Sequence, residues 1–409
     1  MKIIYLHQYF RTPAMSGGTR SYEMARRLVE KGHEVHIVTS RTDDGGDVGS
    51  SSWYTEVIEG IRVHWLPVPY NNKMGYAKRL LAFSIFARKA GSYAARLGGD
   101  VVFASSTPLT IAIPGVKASR AMKAPMVFEV RDLWPEIPIA LNVLKSPVTR
   151  FLARSLERWA YKNASRVVGL SPGMCEGVVR AGFDPERVHC IPNSADLELF
   201  SVADQAGERF RQERPWLGDR PLVLYAGTFG LVNGVSYFAD IAKSALEIDP
   251  NICFLAVGDG AEYERVKRRA ETNGVLGRNF FMEPPVSKRS MPAMLNAATL
   301  TTSLVIPNRA LWHNSANKFF DSLAASRPIF VNHGGWQAEI LNESGAGFEV
   351  PPDNAARSAA KIKDFLGDSA RVERARKAAL ELAKSRFDRS ALAAQLEDVL
   401  REAMQSAHA

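Results

Sequence analysis

"RPLVLYAGTFGLVNGVSYFADIAKSALEIDPNICFLAVGDG" (220–260) decides how this chain is built. The apolar run "LVLYA" ends in a glycine turn, "VSYFADIAKSALEI" keeps apolar residues at helical spacing, and "ICFLAV" runs into a second glycine turn. A strand, a helix and a strand in that order form a parallel unit, because parallel neighbours need a crossover and a helix supplies one. The rhythm continues through "AEYERVKRRAETNG", "ATLTTSLVI" and "RPIFVNHGG". It is also present in the first half. "KIIYLHQYF", "EVHIVTS", "DVVFASS", "APMVFEV" and "SRVVGLS" read as strands, with "SYEMARRLVEKG" and "TIAIPGVKASRAM" as helices between them. A hydrophilic gap at 201–219 separates the two series. The fold class is therefore α/β, with two doubly wound, Rossmann-like domains facing across a cleft. The first domain is expected over 1–200 and the second over 201–386. The amphipathic end of the chain, 387–409, is expected to cross back to the first domain.

Composition narrows the function. The chain has 409 residues, 46% apolar and 23% charged, as ordinary globular proteins do. Its longest helical apolar candidate, "LLAFSIFA" (80–87), falls far short of the roughly 18 residues a bilayer span needs. "MKIIYLHQYF" enters a strand pattern at once and lacks the plan of a signal peptide. Cys175, Cys190 and Cys253 are scattered without CxxC spacing, which argues against a disulfide scaffold or zinc site and fits a reducing cytoplasm. The net charge of +9 is one-sided: residues 1–190 hold 26 Lys+Arg against 16 Asp+Glu, and 191–409 hold 26 against 27. A basic half implies a negatively charged partner.

In open α/β sheets ligands bind beyond the carboxyl ends of the strands. Glycine turns fall at such ends in both halves, at 16–18, 226–230 and 258–260, and none has GxGxxG spacing. Each has a simpler reading as tight strand-to-helix geometry. A further candidate is "NSANKFFDSLAAS" (314–326), a helix that places Lys318 and Asp321 among apolar neighbours. A surface helix with its charges in water would look the same.

The order and spacing of "VVGLSPGMCEGVVRAGFDPERVHCIPNSADLELF" (167–200), "LYAGTFG", "AVGDGAEYERVK" and "NKFFDSLAASRPIF" resemble the family 4 retaining glycosyltransferases of the two-domain GT-B fold, over nearly the whole chain. With "HQYFRTPAMSGGTRSYEMARRL" and "VRDLWPE" (130–136), the chain is most similar to the subgroup that adds N-acetylated sugars such as N-acetylfucosamine in O-antigen or capsule assembly. The resemblance implies that the diphosphate of a UDP-sugar sits at the start of the 314–326 helix. Amides of Asn314, Ser315, Ala316 and Asn317 and the charge of Lys318 would hold it, as helix N-termini bind anions. Asp321 would accept from both ribose hydroxyls. Gly227, Thr228 and Gly258 would line the nucleotide pocket, and backbone groups of Val286 and Ser287 would read uracil. Gly17 and Gly18 would lie over the diphosphate, with Arg20 meeting phosphate. Asp132 would orient or deprotonate the acceptor hydroxyl, and Arg131 would pair with the acceptor's phosphate.

The chain also departs from the family. Its first signature glutamate is replaced by His313 and its second by Asp321, while the usual Arg and Lys of the first C-domain loop are missing. Lys318 then carries more of the diphosphate charge, with Arg309 as a possible helper. Gly60 to Gly99 contains no acid but Arg62, Lys73, Lys78, Arg79, Arg88, Lys89 and Arg96. Among these lie Met74, Tyr76, Leu80, Leu81, Phe83, Ile85, Phe86 and Tyr93. Such a basic amphipathic segment suits an anionic membrane surface, where polyprenyl-diphosphate acceptors reside; a packed helix with a solvated face is the plainer reading. No nucleic-acid recognition motif is present. The expectation is a cytoplasmic transferase, peripheral on the inner membrane face. It would move an N-acetylated hexose from UDP to a lipid-linked sugar, with no cofactor and no essential metal. The alternatives are a UDP-N-acetylhexosamine 2-epimerase of the same fold and a non-catalytic partner subunit.

Overall fold

The protein is described here by a computed structural model covering residues 1–15, 17–41, 52–68, 76–201 and 205–408, with the backbone alone at 76, 77, 79, 80, 407 and 408. The apolar runs become strands buried on both faces, as parallel strands under two helix layers must be. The first sheet comprises β1 (Lys2–Leu6), β2 (Glu34–Arg41), β3 (Tyr54–Ile58), β4 (Ile61–Pro67), β5 (Val101–Ser105), β6 (Met126–Val130), β7 (Arg166–Gly169) and β8 (Val188–Cys190). Their order is β3-β4-β2-β1-β5-β6-β7-β8. The second sheet comprises β9 (Leu222–Ala226), β10 (Cys253–Val257), β11 (Phe280–Glu283), β12 (Leu300–Ser303), β13 (Ile329–Val331) and β14 (Gly347–Glu349), ordered β11-β10-β9-β12-β13-β14. Strand order reverses at β1/β5 and at β9/β12, so each domain has its switch-point crevice at the carboxyl ends of its central strands.

Among the described residues one pairing is antiparallel: β3 returns along β4 through Glu59 (φ 46°) and Gly60 (φ 79°), a two-residue turn that needs two positive φ angles. The apolar runs of the sequence predict only parallel units. The difference has a physical reason, since β3 is an edge strand with its three central residues exposed and so lacks an apolar run.

Alternate strand residues build a core on each face. In the first domain Ile4, Leu6 and Val38 pack on one side, Ile3, Tyr5 and Ile37 on the other. In the second, Leu224 and Ala226 pack with Phe319 and Phe320, while Val223 and Tyr225 pack with Phe238. The chain crosses between domains twice, side by side: the Ala195 amide donates to Phe387 O (2.8 Å) and the Arg389 amide donates to Ala195 O (3.2 Å). The last helix, Arg389–His408, lies on the first sheet and buries Leu392, Leu396 and Leu400 there.

Candidate functional site in the interdomain cleft

The helix Asn317–Ala324 follows β12 and points its uncapped start at the cleft. Phe319, Phe320 and Leu323 are fully buried and fix its body in the second domain's core. Of the four amides named from sequence, two are already engaged: Asn314 N donates to Leu311 O and Ala316 N to Asn314 Oδ1. The Ser315 hydroxyl accepts from Asn193 N (3.1 Å) and its carbonyl accepts from Asn193 Nδ2 (2.5 Å), which ties the loop to the other domain. The correction is that the amides of Asn314 and Ala316 are not open to an anion; those of Ser315, Asn317 and Lys318 have no acceptor among the described residues.

Lys318 reaches back under the Gly227 turn. Its ammonium donates to the Tyr225 hydroxyl (3.2 Å) and lies 4.5 Å from that ring's centroid. A Cβ on Gly227 would fall 3.0 Å from Lys318 Cε, so the missing side chain makes room for the lysine. The Tyr225 hydroxyl and Asn233 Nδ2 both donate to Thr228 O and hold the turn in shape, leaving the Thr228 side chain exposed. Burial pushes the Lys318 ammonium down to about 8. No carboxylate among the described residues pairs with it, so the ammonium is a desolvated cation without a charged partner there. Arg309 is exposed, 5.5 Å from the Trp312 ring.

The first domain closes on this point. A Cβ on Gly18 would fall 2.7 Å from Asn317 Nδ2 and 3.9 Å from Arg131 Nη2. Gly17 has φ 120°, a conformation side chains rarely adopt; Ser16 lies outside the described residues. Arg131 donates to His7 Nε2 (3.0 Å), so His7 carries its proton on Nδ1 and donates to Ser21 Oγ (2.8 Å). Burial, then Arg131 and Arg11, hold His7 well below its usual range, which keeps it neutral as an acceptor. Asp132 accepts from Thr107 Oγ1 (3.1 Å), and burial raises its carboxyl above the usual range. His313 sits in the seam. A Cβ on Gly173 would fall 1.8 Å from its Nδ1, and its carbonyl accepts from Ser171 Oγ (2.6 Å).

Arg20 does not belong to the cleft's charge. It is 3% exposed and donates to Glu129 (2.8 Å) and to the carbonyls of Ile191 and Pro192. Glu129 is fully buried and draws the guanidinium inward, so the phosphate role expected of Arg20 is corrected to a structural ion pair. Asp321 is 5% exposed and accepts from Lys288 Nζ at 2.5 Å, a pair the sequence reading did not contain. Lys288 comes from the loop after β11, where Ser287 precedes a short turn of helix and Val286 packs against the core; its Nζ also lies 5.0 Å from the Phe200 ring centroid. Gly258 marks a close approach, since a Cβ there would fall 1.9 Å from Gly227 O. Gly18 thus meets Asn317 and Arg131, Gly227 meets Lys318, and Asp321, one turn further along the helix, meets Lys288 from the loop after β11.

The basic segment is not one amphipathic helix but spans β4 and the helix Tyr76–Leu97. Arg62 lies on β4 and pairs with Glu34 (3.5 Å). Phe86 is buried and Tyr93 stacks on Trp53, so of the described apolar side chains only Leu81 and Ile85 face outward. Lys73 and Met74, and the side chains of Tyr76, Arg79 and Leu80, lie outside the described residues.

Comparison with known proteins agrees with this architecture. Residues 17–194 match the family model described as "Glycosyl transferase 4-like domain", and 207–382 match "Glycosyl transferases group 1". The chain is 26% identical over 291 residues to alpha-D-kanosaminyltransferase of Streptomyces kanamyceticus, covering 69% of this chain and 72% of that one. Among solved structures it superposes on sucrose-phosphate synthase of Thermosynechococcus elongatus with a TM-score of 0.80 at 19% identity, over 99% of each chain. It superposes on Anabaena HepE in complex with UDP and glucose with a TM-score of 0.71 at 16% identity, over 98% and 100%. The two likenesses in structure establish the fold.

Proposed function

The chain is a glycosyltransferase, its first domain of the glycosyl transferase 4-like kind and its second of group 1, and from that premise we propose that it transfers an N-acetylated hexose from UDP to a polyprenyl-diphosphate-linked sugar in surface-polysaccharide assembly, with retention at the anomeric carbon. The observation that carries the donor half is Lys318: a cation pushed down to about 8 by burial, at an uncapped helix start. UDP in the HepE complex supports the choice of nucleotide.

In this reading the anomeric carbon–oxygen bond to the diphosphate breaks as the acceptor oxygen attacks from the same face. The acceptor's proton passes to the departing phosphate oxygen. Lys318 and the amides of Asn317 and Lys318 stabilise the charge that develops there, an arrangement held ready before the reaction. Gly18 lets the first domain's backbone approach, Arg131 takes the acceptor's phosphate, and Asp132 orients its hydroxyl. His313 hydrogen-bonds a sugar hydroxyl in place of the usual glutamate. Asp321 accepts from the ribose, with Lys288 at its other oxygen, and the backbone at Val286 and Ser287 reads uracil. The basic helix Tyr76–Leu97 holds the protein on the anionic surface where the acceptor lies.

Calorimetric titration with UDP, GDP and ADP, with and without Mg²⁺, tests the donor site. Selective, metal-independent UDP binding that weakens in Asp321→Asn is expected; equal binding of all three would sink it. A UDP-N-acetylhexosamine panel with lipid-linked acceptor follows, and conversion of donor without acceptor would indicate the epimerase instead.

A further inference from the structure

We propose that the outer face of three adjoining first-domain helices, Tyr76–Leu97, Ala112–Met122 and Pro147–Lys162, is one membrane-docking surface that turns the cleft mouth toward an anionic bilayer. The second and third helices lie outside the basic segment 60–99. The three form one layer: Lys117 Nζ donates to Ser92 Oγ (2.6 Å) between the first and second, and Arg120 Nη2 donates to Asn163 Oδ1 (2.8 Å) at the end of the third.

Charge and apolar exposure coincide on that layer. Residues 76–97, 112–123 and 143–162 contain thirteen Lys or Arg and a single carboxylate, Glu157. Glu157 is 8% exposed, so the outer face presents cations without carboxylates. Eleven large apolar side chains are exposed among the described residues, and seven of them lie here, which scattered surface exposure would not produce. Leu81 and Ile85 belong to the first helix and Ile113 to the second. Val148, Phe151 and Leu152 form a stripe on the third, just after Val143. Phe151 is 64% exposed and Leu152 59%.

Position gives the orientation. Each helix ends a few residues before the start of the next strand, β5, β6 or β7, so each runs against the strands and begins at their carboxyl ends. The exposed apolar residues are all in the first halves of the helices or just before them, on the cleft side. Arg88, Lys89, Arg96, Lys117, Arg158 and Lys162 continue away from it. Side chains such as Phe151 and Leu152 entering the acyl boundary, with cations over the headgroups, match an interfacial helix face. Phosphate alone, as in nucleic acid, gives the exposed aliphatic stripe no partner. The inference deepens the acceptor half of the proposed function and rests on it only for the choice of lipid.

The test is co-sedimentation of the full chain with phosphatidylcholine vesicles and with mixed phosphatidylcholine–phosphatidylglycerol vesicles, beside calorimetric UDP binding. Wild type is expected on the mixed vesicles, released by salt. Partition should fall roughly tenfold or more in Phe151→Ser/Leu152→Ser. It should fall similarly in Arg154→Glu/Arg158→Glu, and Ile248→Ser in the second domain should behave as wild type. Equal binding by wild type and both double variants overturns the proposal, as does no vesicle binding by wild type. So does an oligonucleotide that displaces wild type from vesicles and binds Phe151→Ser/Leu152→Ser undiminished. UDP binding with vesicle binding lost in the double variants separates this surface from the donor site, and vesicle binding without UDP binding would fail the donor reading alone.

Discussion

Lys318 is the residue on which the donor site turns, and its chemistry fixes a pH dependence. Burial has moved it from 10.5 to about 8, so the free protein begins to lose the charge just above neutrality. A bound diphosphate favours the ammonium and raises its pKa, so binding above pH 8 takes up a proton. UDP affinity should then be nearly flat between about pH 7 and 7.5, where the terminal phosphate of UDP is already ionised, and fall up to about tenfold per unit above pH 8. Lys318→Met should weaken UDP by roughly 1.5–3 kcal/mol and remove that slope. Calorimetry across the range decides, and an unchanged slope in the variant would assign the titration elsewhere. Its neighbour Asp321 makes a second prediction. Lys288→Met leaves a buried carboxylate unpaired and should lower stability by about 3 kcal/mol, whereas Lys288→Met/Asp321→Asn should recover most of it. Urea denaturation of the three proteins measures the difference. Additive losses would mean that the 2.5 Å pair contributes nothing.

The last helix shows how an element far from the chemistry is held in place. Its Glu397 accepts from Lys31 (2.7 Å), His33 (2.8 Å) and Arg401 (2.7 Å), which pins it to the first domain. The hydrogen bond from Lys31, then those from Arg401 and His33, hold the carboxyl down from 4.5 to about 2. A depressed acid contributes stability that is present above its unfolded value, so this contribution should be intact at pH 5 and lost as pH falls from about 4.5 to 2. Glu397→Gln should cost on the order of 2 kcal/mol at neutral pH and flatten the acid limb of the stability curve, as read by thermal unfolding against pH. Elements of this kind mark what could be read from the sequence. The strands 222–226 and 253–257 were legible because both faces are apolar, and the glycine turns because they follow such runs. The exposed strand Tyr54–Ile58 was not. Nor were the partners that decide a charge's role: Glu129 is 109 residues from Arg20 and Lys288 is 33 from Asp321, distances at which spacing carries no information. Arg20, after a glycine turn, and Lys318, at a helix start, both read as phosphate-binding cations, and the burial of Arg20 beside Glu129 is what separates them.

At the scale of the molecule, the site exists only where two domains meet, joined by the paired crossovers at 195 and 387–389. The second domain holds the proposed nucleotide groups by itself. The first contributes Gly18, whose backbone approaches Asn317 so closely that a Cβ would fall 2.7 Å from Nδ2. Binding and transfer should therefore separate. Gly18→Val sets a side chain against the start of the Asn317–Ala324 helix and keeps the domains from meeting there, while Lys318, Asp321 and Lys288 stay as they are. UDP affinity should remain within about twofold, and transfer should fall by roughly a hundredfold, because misplacement of about 1 Å in a closed site has that effect. The obstruction is one side chain, so Asn317→Ala in the Gly18→Val background should restore part of the transfer rate. Titration and turnover on the same preparations read both. Loss of UDP binding in Gly18→Val would show that the first domain holds the nucleotide directly. Failure of Asn317→Ala to rescue would place the need for glycine at the substrate rather than at the helix.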